Sequence, residues 1–277
     1  MRGGRANRRT GHEQWDCSGG QRAQHCRQTA PHTRLLGVTA LLVGLTAPMA
    51  AAAPTVTSGS KVFSQPGEAM RFAVPKGVTK VTVRAIGGGG GGAGGGSQHR
   101  TEPGIPTHGG GGGGGATVTC VVDVTRISTL YVRVGGGGAG GAGAILGPEH
   151  AFGGAGKAGG SSGISAPELP NLAVDAGGGE GASTKPLPPA PKYLHAAGGA
   201  GGVNGSGLPH CEGVRGQQGM PGQTFSTKLD GLGGGAGQPV SACPANAGEG
   251  GRGGEPGNGK DGGPGDAGRT GCVVLSW

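Results

Sequence analysis

KVTVRAIGGGGGGAGGG, from Lys80 to Gly96, joins two opposite habits end to end. Val81, Val83 and Ala85 alternate with Thr82 and Arg84, which is the period of two of a half-buried β-strand. From Gly87 onward the side chains all but vanish. Glycine loses more backbone entropy on folding than any other residue, and a run of it normally makes a flexible linker. If this run is ordered, something other than side-chain packing must hold it.

Working outward, the strand is preceded by TVTSGSKVFSQPGEAMRFAVPKGVT (55–79), which reads as further strands with turns at Gln65-Pro66-Gly67 and Pro75-Lys76-Gly77. A second glycine block, 109–115, leads into ATVTCVVDVTRISTLYVRV (116–134). Val118, Cys120, Val122 and Val124 share one face of its first half, and Leu130, Val132 and Val134 share one face of its second. Thr125–Thr129 reads as the hairpin between them. From Gly135 to Gly271 glycine clusters alternate with polar, proline-containing excursions such as GISAPELPNLAVDAGGGE (163–180). The chain then closes with GCVVLSW (271–277). That apolar strand has to be buried or paired, and its natural partners lie before residue 135. The glycine-rich stretch therefore starts and ends at one β-module, and the expectation is that Val81–Ile86 lies close to Cys272–Trp277.

The chain has 277 residues, of which 72 are Gly, and 62 of these fall between Gly87 and Gly271. Glycine holds no strict third position there, so collagen is excluded. With 3% aromatic residues a conventional core of the usual size cannot be built. The net charge of +8 sits mostly before Ala53, where seven Arg face Glu13 and Asp16. The rest has no basic stripe and no aromatic stacking platform, so nucleic-acid binding is not expected.

Arg34, the apolar run Leu35–Leu45, Pro48 and an Ala cluster follow the order of a secretory signal peptide. Residues 1–52 are read as that segment with an unusually long polar N-terminal extension, cleaved after Ala52; residues 53–277 are read as a single glycine-rich domain. Contact with a membrane is expected only transiently, through the signal peptide, and the location is secreted or cell-surface. Past the leader four cysteines remain, Cys120, Cys211, Cys243 and Cys272, and an even number in an exported chain suggests disulfides. Four cysteines allow three connectivities. Matching the glycine-rich half with itself and strand with strand favours Cys211–Cys243 and Cys120–Cys272.

Glycine without side chains lets backbones approach closely, as at the axis of collagen. Extended glycine segments with three residues per turn, packed side by side, can satisfy one another's N–H and C=O groups, as burial requires. The expected fold is mainly β: a small antiparallel β-sandwich, with strands in 56–86, 116–134 and 272–277, flanked by a polyglycine-II bundle over 87–115 and 135–271. Few or no α-helices are expected apart from the signal peptide. Gly87, Gly112, Gly135, Gly199 and Gly254 are taken as structural glycines of that bundle.

AVPKGVTKVTVRAIGGGGGGAGG, GGGGGGGATVTCVVDVTRISTLYVRVGGGGAGGAG and the terminal GGPGDAGRTGCVVLSW resemble the bacterial glycine-rich domain family. Its members run a Pro-x-Gly-Val-Thr-x-Val-Thr-Val strand into a glycine cluster. Similar segments occur in the glycine-rich extracellular region of the anaplastic lymphoma kinase receptor, and a related polyglycine-II core occurs in phage tail-tip adhesins. The resemblance covers about Val62 to Trp277. It implies a β-sandwich beside a polyglycine-II bundle, exported and used for surface binding or structure.

Motifs for chemistry are weak. GEPGNGKD (254–261) lacks the Ser or Thr and the helix of a phosphate-binding loop. GGPGDAGRT (262–270) places Asp266 one position early for a calcium nonapeptide and is not repeated. The histidines His99, His108, His150, His195 and His210 read as solvated loop residues without metal-ligand spacing, and no CxxC pair exists. No catalytic residue, cofactor or metal is expected. Rigid scaffolds present function on loops, so Ile105, Leu169, Leu187, Tyr193, Met220 and Phe225 are the candidate binding residues, for an extracellular protein or a glycan. A secreted enzyme with an unrecognised site and a disordered cell-wall spacer are the competing readings.

Overall fold

The computed structural model describes residues 57–98, 107–147, 151–186, 196–197, 200–202, 210–222 and 231–277. The strands in chain order are β1 (Ser60–Phe63), β2 (Met70–Ala73), β3 (Lys80–Ile86), β4 (Ser97–Gln98), β5 (Thr117–Asp123), β6 (Thr129–Arg133), β7 (Ser162–Ala166), β8 (Leu169–Ala176), β9 (Ser183–Pro186), β10 (Ala196–Ala197), β11 (Cys211–Val214), β12 (Gly257–Asn258) and β13 (Cys272–Ser276). No helix occurs among the described residues.

The alternation that begins at Lys80 is realised in full. Val81, Val83 and Ala85 are buried, and β3 runs antiparallel between β5 and β13. Cys272 lies opposite Ile86, so the closing strand meets the strand before the first glycine block, as expected. One sheet has the order β1-β13-β3-β5-β11, and the second has the order β2-β6-β7-β8; both are antiparallel. Their inner faces share one apolar core, with Val83, Val118, Cys120 and Leu275 from the first sheet and Phe72, Leu130, Val132, Ile164 and Val174 from the second. Phe72 packs between Phe63, edge to face with ring centroids 6.4 Å apart, and Trp277, tilted at 5.3 Å. Closing strand β13 is apolar on both faces because both are covered. Val273 and Leu275 enter the sandwich, while Cys272 and Val274 join Ile86, Val240 and Ala247 in a smaller cluster.

Three expectations are corrected. Thr125–Thr129 is not a hairpin, because β5 and β6 belong to different sheets and do not pair. Asp123 Oδ1 accepts hydrogen bonds from the Thr125 N–H at 2.9 Å and the Thr125 hydroxyl at 2.6 Å, and Val124 and Ile127 are buried. The segment thereby rolls over the sandwich edge and delivers β6 to the opposite layer. The 163–180 excursion is not a loop either. It forms the β7–β8 hairpin around Pro167-Glu168, and Leu169 opens an edge strand. Pro170 is tolerated there because an edge strand has a side that needs no ladder donor.

The disulfides are Cys120–Cys211 and Cys243–Cys272, not the favoured pairing. The short strand β11 extends the first sheet beside β5 and puts Cys211 directly opposite Cys120, with Cα atoms 4.2 Å apart. Cys243 then lies over the outer face of β13 and reaches Cys272. Sequence matching failed because it treated Cys211 as part of the glycine region, whereas Cys211-Glu-Gly-Val214 is a strand of the sandwich.

Candidate functional site

Glycine blocks 87–96 and 107–116 occupy the interior of a bundle of hydrogen-bonded segments. In the first block a repeat of three governs the partners. The N–H groups of Gly87, Gly90, Ala93 and Gly96 donate to the carbonyls of Ala116, Gly113, Gly110 and Thr107. Those of Gly88, Gly91 and Gly94 donate to Gly160, Lys157 and Gly154, and those of Gly89, Gly92 and Gly95 to Arg269, Asp266 and Gly263. The carbonyls follow the same arithmetic. Gly89, Gly92 and Gly95 accept from Gly138, Gly141 and Ala144; Gly90, Ala93 and Gly96 accept from Gly251, Gly254 and Gly257; Gly88 and Gly91 accept from Gly179 and Ala182. All of these bonds are 2.8–3.0 Å. One segment is thus bonded to six neighbours, three antiparallel and three parallel. The second block is equally surrounded, through the first block and segments near 180, 202, 217–220, 234–237 and 248–254.

The glycine is needed here for its missing side chain. Positive φ occurs at Gly67, Gly77, Gly248 and Gly259, all outside the two inner segments. A Cβ on Gly88 would run into the carbonyl of Gly136, one on Gly89 into that of Glu249, and one on Gly90 into that of Glu180. Every phase of the repeat is therefore blocked by main chain. Ala93 is the exception that follows the rule. It continues the phase of Gly87 and Gly90, whose neighbours are Gly177 and Glu180, and the next step along that neighbour is residue 183, where β9 begins.

Of the structural glycines, Gly87 faces the Gly177 carbonyl, Gly112 that of Gly90, Gly135 that of Gly160 and Gly254 that of Gly263; Gly199 lies outside the described residues.

Peripheral segments have one outward phase, and side chains appear on it. In 249–257, Gly250 and Gly253 face the inner segment, Gly251 and Gly254 face the adjacent one, and Glu249, Arg252 and Glu255 are exposed. The Asp266 N–H donates to the Arg252 carbonyl at 2.8 Å, and the Arg269 N–H to that of Glu249 at 2.7 Å. Opposite charges therefore face each other across a cleft of about 490 Å³ lined by Glu249, Arg252, Asp266 and Arg269. The sequence reading missed this ladder, although Glu249-Gly-Gly-Arg252-Gly-Gly-Glu255 displays its period of three openly. It also missed the outer face of the second sheet. There the Arg133 guanidinium donates to Ser161 Oγ at 2.6 Å and to Asp175 Oδ1 at 3.3 Å, beside Tyr131.

At the end of the bundle away from the sandwich, the described chain breaks off after 98, 147, 186 and 222 and resumes at 107, 151, 196 and 231. The last pair of segments turns there through Gly259. Parallel pairing of β4 with β12 and a bond from Ser97 Oγ to the Ile145 carbonyl at 3.0 Å fasten this end. Ile145 is 79% exposed and Phe152 43%.

Candidate binding residues Ile105, Leu187, Tyr193 and Phe225 lie outside the described residues, within stretches whose flanks are at this end. Met220 is exposed, but it belongs to a bundle segment: its N–H donates to the Leu232 carbonyl and its carbonyl accepts from Gly111. Leu169 belongs to the sandwich. Of the histidines expected to be solvated, His210 is exposed, whereas His108 is buried in the second inner segment; the others lie outside the described residues. Among the described residues no group of three His, Cys, Asp or Glu could hold a metal ion.

A β-sandwich whose strands continue into a glycine bundle defines a glycine-rich domain. The family model described as a glycine-rich domain matches residues 64–277, and the chain belongs to that family. A search of curated proteins returned no match to the chain.

Proposed function

We propose that this is an exported, non-enzymatic protein of the cell surface or extracellular space. Its glycine segments act as polyglycine-II helices, and their loops at the far end bind an extracellular protein or a glycan. The observation that supports this reading is the three-residue hydrogen-bond repeat around Gly87–Gly96, which ties the main chain of that segment to six neighbours. Scaffolds held together in this way usually present function on the stretches that join their segments. Two disulfides suit an oxidising compartment. The signal-peptide pattern of Arg34 and Leu35–Leu45, and the likeness to the receptor and phage-adhesin glycine regions, point the same way.

The test is retention of purified protein on the surface of intact producing cells. Ile105→Ala, Tyr193→Ala and Phe225→Ala together are expected to abolish retention while the melting temperature stays unchanged. Unchanged retention, or protein found only inside the cell, would reject the reading.

A further inference from the structure

The outer face of the second sheet carries a cleft that neither the core nor the glycine bundle uses. Leu130, Val132, Ile164, Leu172 and Val174 face the core, so the alternation of the strands turns Tyr131 and Arg133 of β6, Gly163 and Ser165 of β7, and Ala173 and Asp175 of β8 outward. Strand register sets these six in two rows: Tyr131, Ser165 and Ala173 lie opposite one another, and so do Arg133, Gly163 and Asp175. Long side chains stand on β6, and short ones follow on β7. Gly163 is fixed by packing, since a Cβ there would run into the Val174 carbonyl. The result is a cleft of about 510 Å³ lined by these residues, a size suited to a small ligand.

The polar groups of the cleft are held in place but not used up. Arg133 Nη2 donates to Ser161 Oγ at 2.6 Å and to Asp175 Oδ1 at 3.3 Å, which fixes the guanidinium across the floor. Its Nη1 and Nε, the second Asp175 oxygen and the Tyr131 and Ser165 hydroxyls have no partner among the described residues. The Arg133 and Asp175 side chains are 57% and 40% exposed, so an occupant can reach both. They are the only charges lining the cleft, and they offset each other; Arg71, opposite Tyr131 on β2, does not line it. The matching occupant is therefore neutral, with one apolar face and several hydroxyls. A pyranose ring fits that description: its C–H face packs on an aromatic ring, and its neighbouring hydroxyls bond guanidinium and carboxylate together. The cleft crosses from β6 to β8, roughly 10 Å, which is room for such a ring. It lies over paired main chain, so an extended peptide finds no ladder groups to bond there. We propose that Tyr131, Arg133, Ser165 and Asp175 form a binding site for a neutral hexose ring of a glycan, with Tyr131 as the stacking platform. The site is on the sandwich, apart from the far-end loops, and does not rest on their binding anything.

The experiment is binding of the purified full chain to a printed array of neutral and uronate-containing oligosaccharides, followed by calorimetric titration with the neutral oligosaccharide that binds best. Tyr131→Ala removes the platform. Ala173→Gln fills the cleft from an exposed position on the edge strand and should keep the parent melting temperature. The expected result is binding to neutral oligosaccharides that each variant weakens about tenfold or more. The combined Ile105→Ala, Tyr193→Ala and Phe225→Ala variant should bind them as the parent does, which separates this site from the loops. Should Tyr131→Ala fail to fold, Ala173→Gln decides alone. No binding to any neutral oligosaccharide overturns the proposal, as does binding confined to the uronates. Binding that Ala173→Gln leaves intact, or that the loop variant abolishes, overturns it equally.

Discussion

Gly112 shows how one missing side chain carries the bundle. Its backbone is not in the left-handed region, so alanine is conformationally allowed, and Gly→Ala at an allowed site ordinarily stabilises by about 0.4–1 kcal/mol through the unfolded chain. Here the Cβ would meet the Gly90 carbonyl and the Gly91 oxygen, which are main chain and cannot rotate away. Overpacking costs typically ~1–3 kcal/mol or more, so the steric term wins. Gly112→Ala should lower the melting temperature, and Gly112→Val should leave no folded protein to melt. Ala142→Ser, on the outward phase, should change stability by less than ~0.5 kcal/mol. Asp123 offers a second test at this scale. The Thr125 hydroxyl and then the Thr125 N–H hold its carboxyl below the ordinary carboxylate range. A depressed carboxylate lends stability above its unfolded pKa and loses it as pH falls through the folded value. An NMR titration should place the Asp123 midpoint below that of a free aspartate, and Thr125→Val should move it back upward.

Among the elements, the two disulfides close loops of different span. Cys120–Cys211 spans 91 residues and Cys243–Cys272 spans 29, and the loops do not overlap. Loop-closure entropy assigns about 4–5 kcal/mol to the first and about 3–4 kcal/mol to the second. Cys120→Ala with Cys211→Ala should therefore lower stability more than Cys243→Ala with Cys272→Ala, measured by denaturant unfolding. The order would reverse if fastening the 236–247 segment over β13 mattered more than chain entropy. Strand β13 itself joins β1 to β3 and fills both apolar clusters, so truncation after Gly271 should prevent folding.

Across the whole molecule, protection should follow enclosure. Amides of Gly89–Gly95 and Gly111–Gly115 are bonded within segments surrounded on six sides and should exchange slowest, together with β3 and β5. Amides at Gly137, Ala139, Gly140 and Ala142 find no partner among the described residues and should exchange fast. Uniformly fast exchange through the glycine blocks would mean that they are a linker after all.

Residue patterns alone determined a good deal. Val81, Val83 and Ala85, the closing Cys272–Ser276 strand and the glycine between them already implied a sandwich with a main-chain core, because strand period and glycine content are local properties. The outward phase was also legible wherever a charged residue recurs every third position, as at Glu249, Arg252 and Glu255. What only the tertiary structure decided was partnership. Whether Gly94 faces Ala142 or Gly111 faces Leu232 depends on how segments far apart in sequence are laid side by side, and one glycine reads like another. The same reason hid the disulfides. Cys211 belongs with Cys120 because a four-residue strand pairs there, and four residues set in glycine carry too little pattern to announce a strand. The β7–β8 hairpin stayed hidden because its prolines read as loop, and only its place at a sheet edge, a property of the assembled sheet, makes Pro170 compatible with a strand.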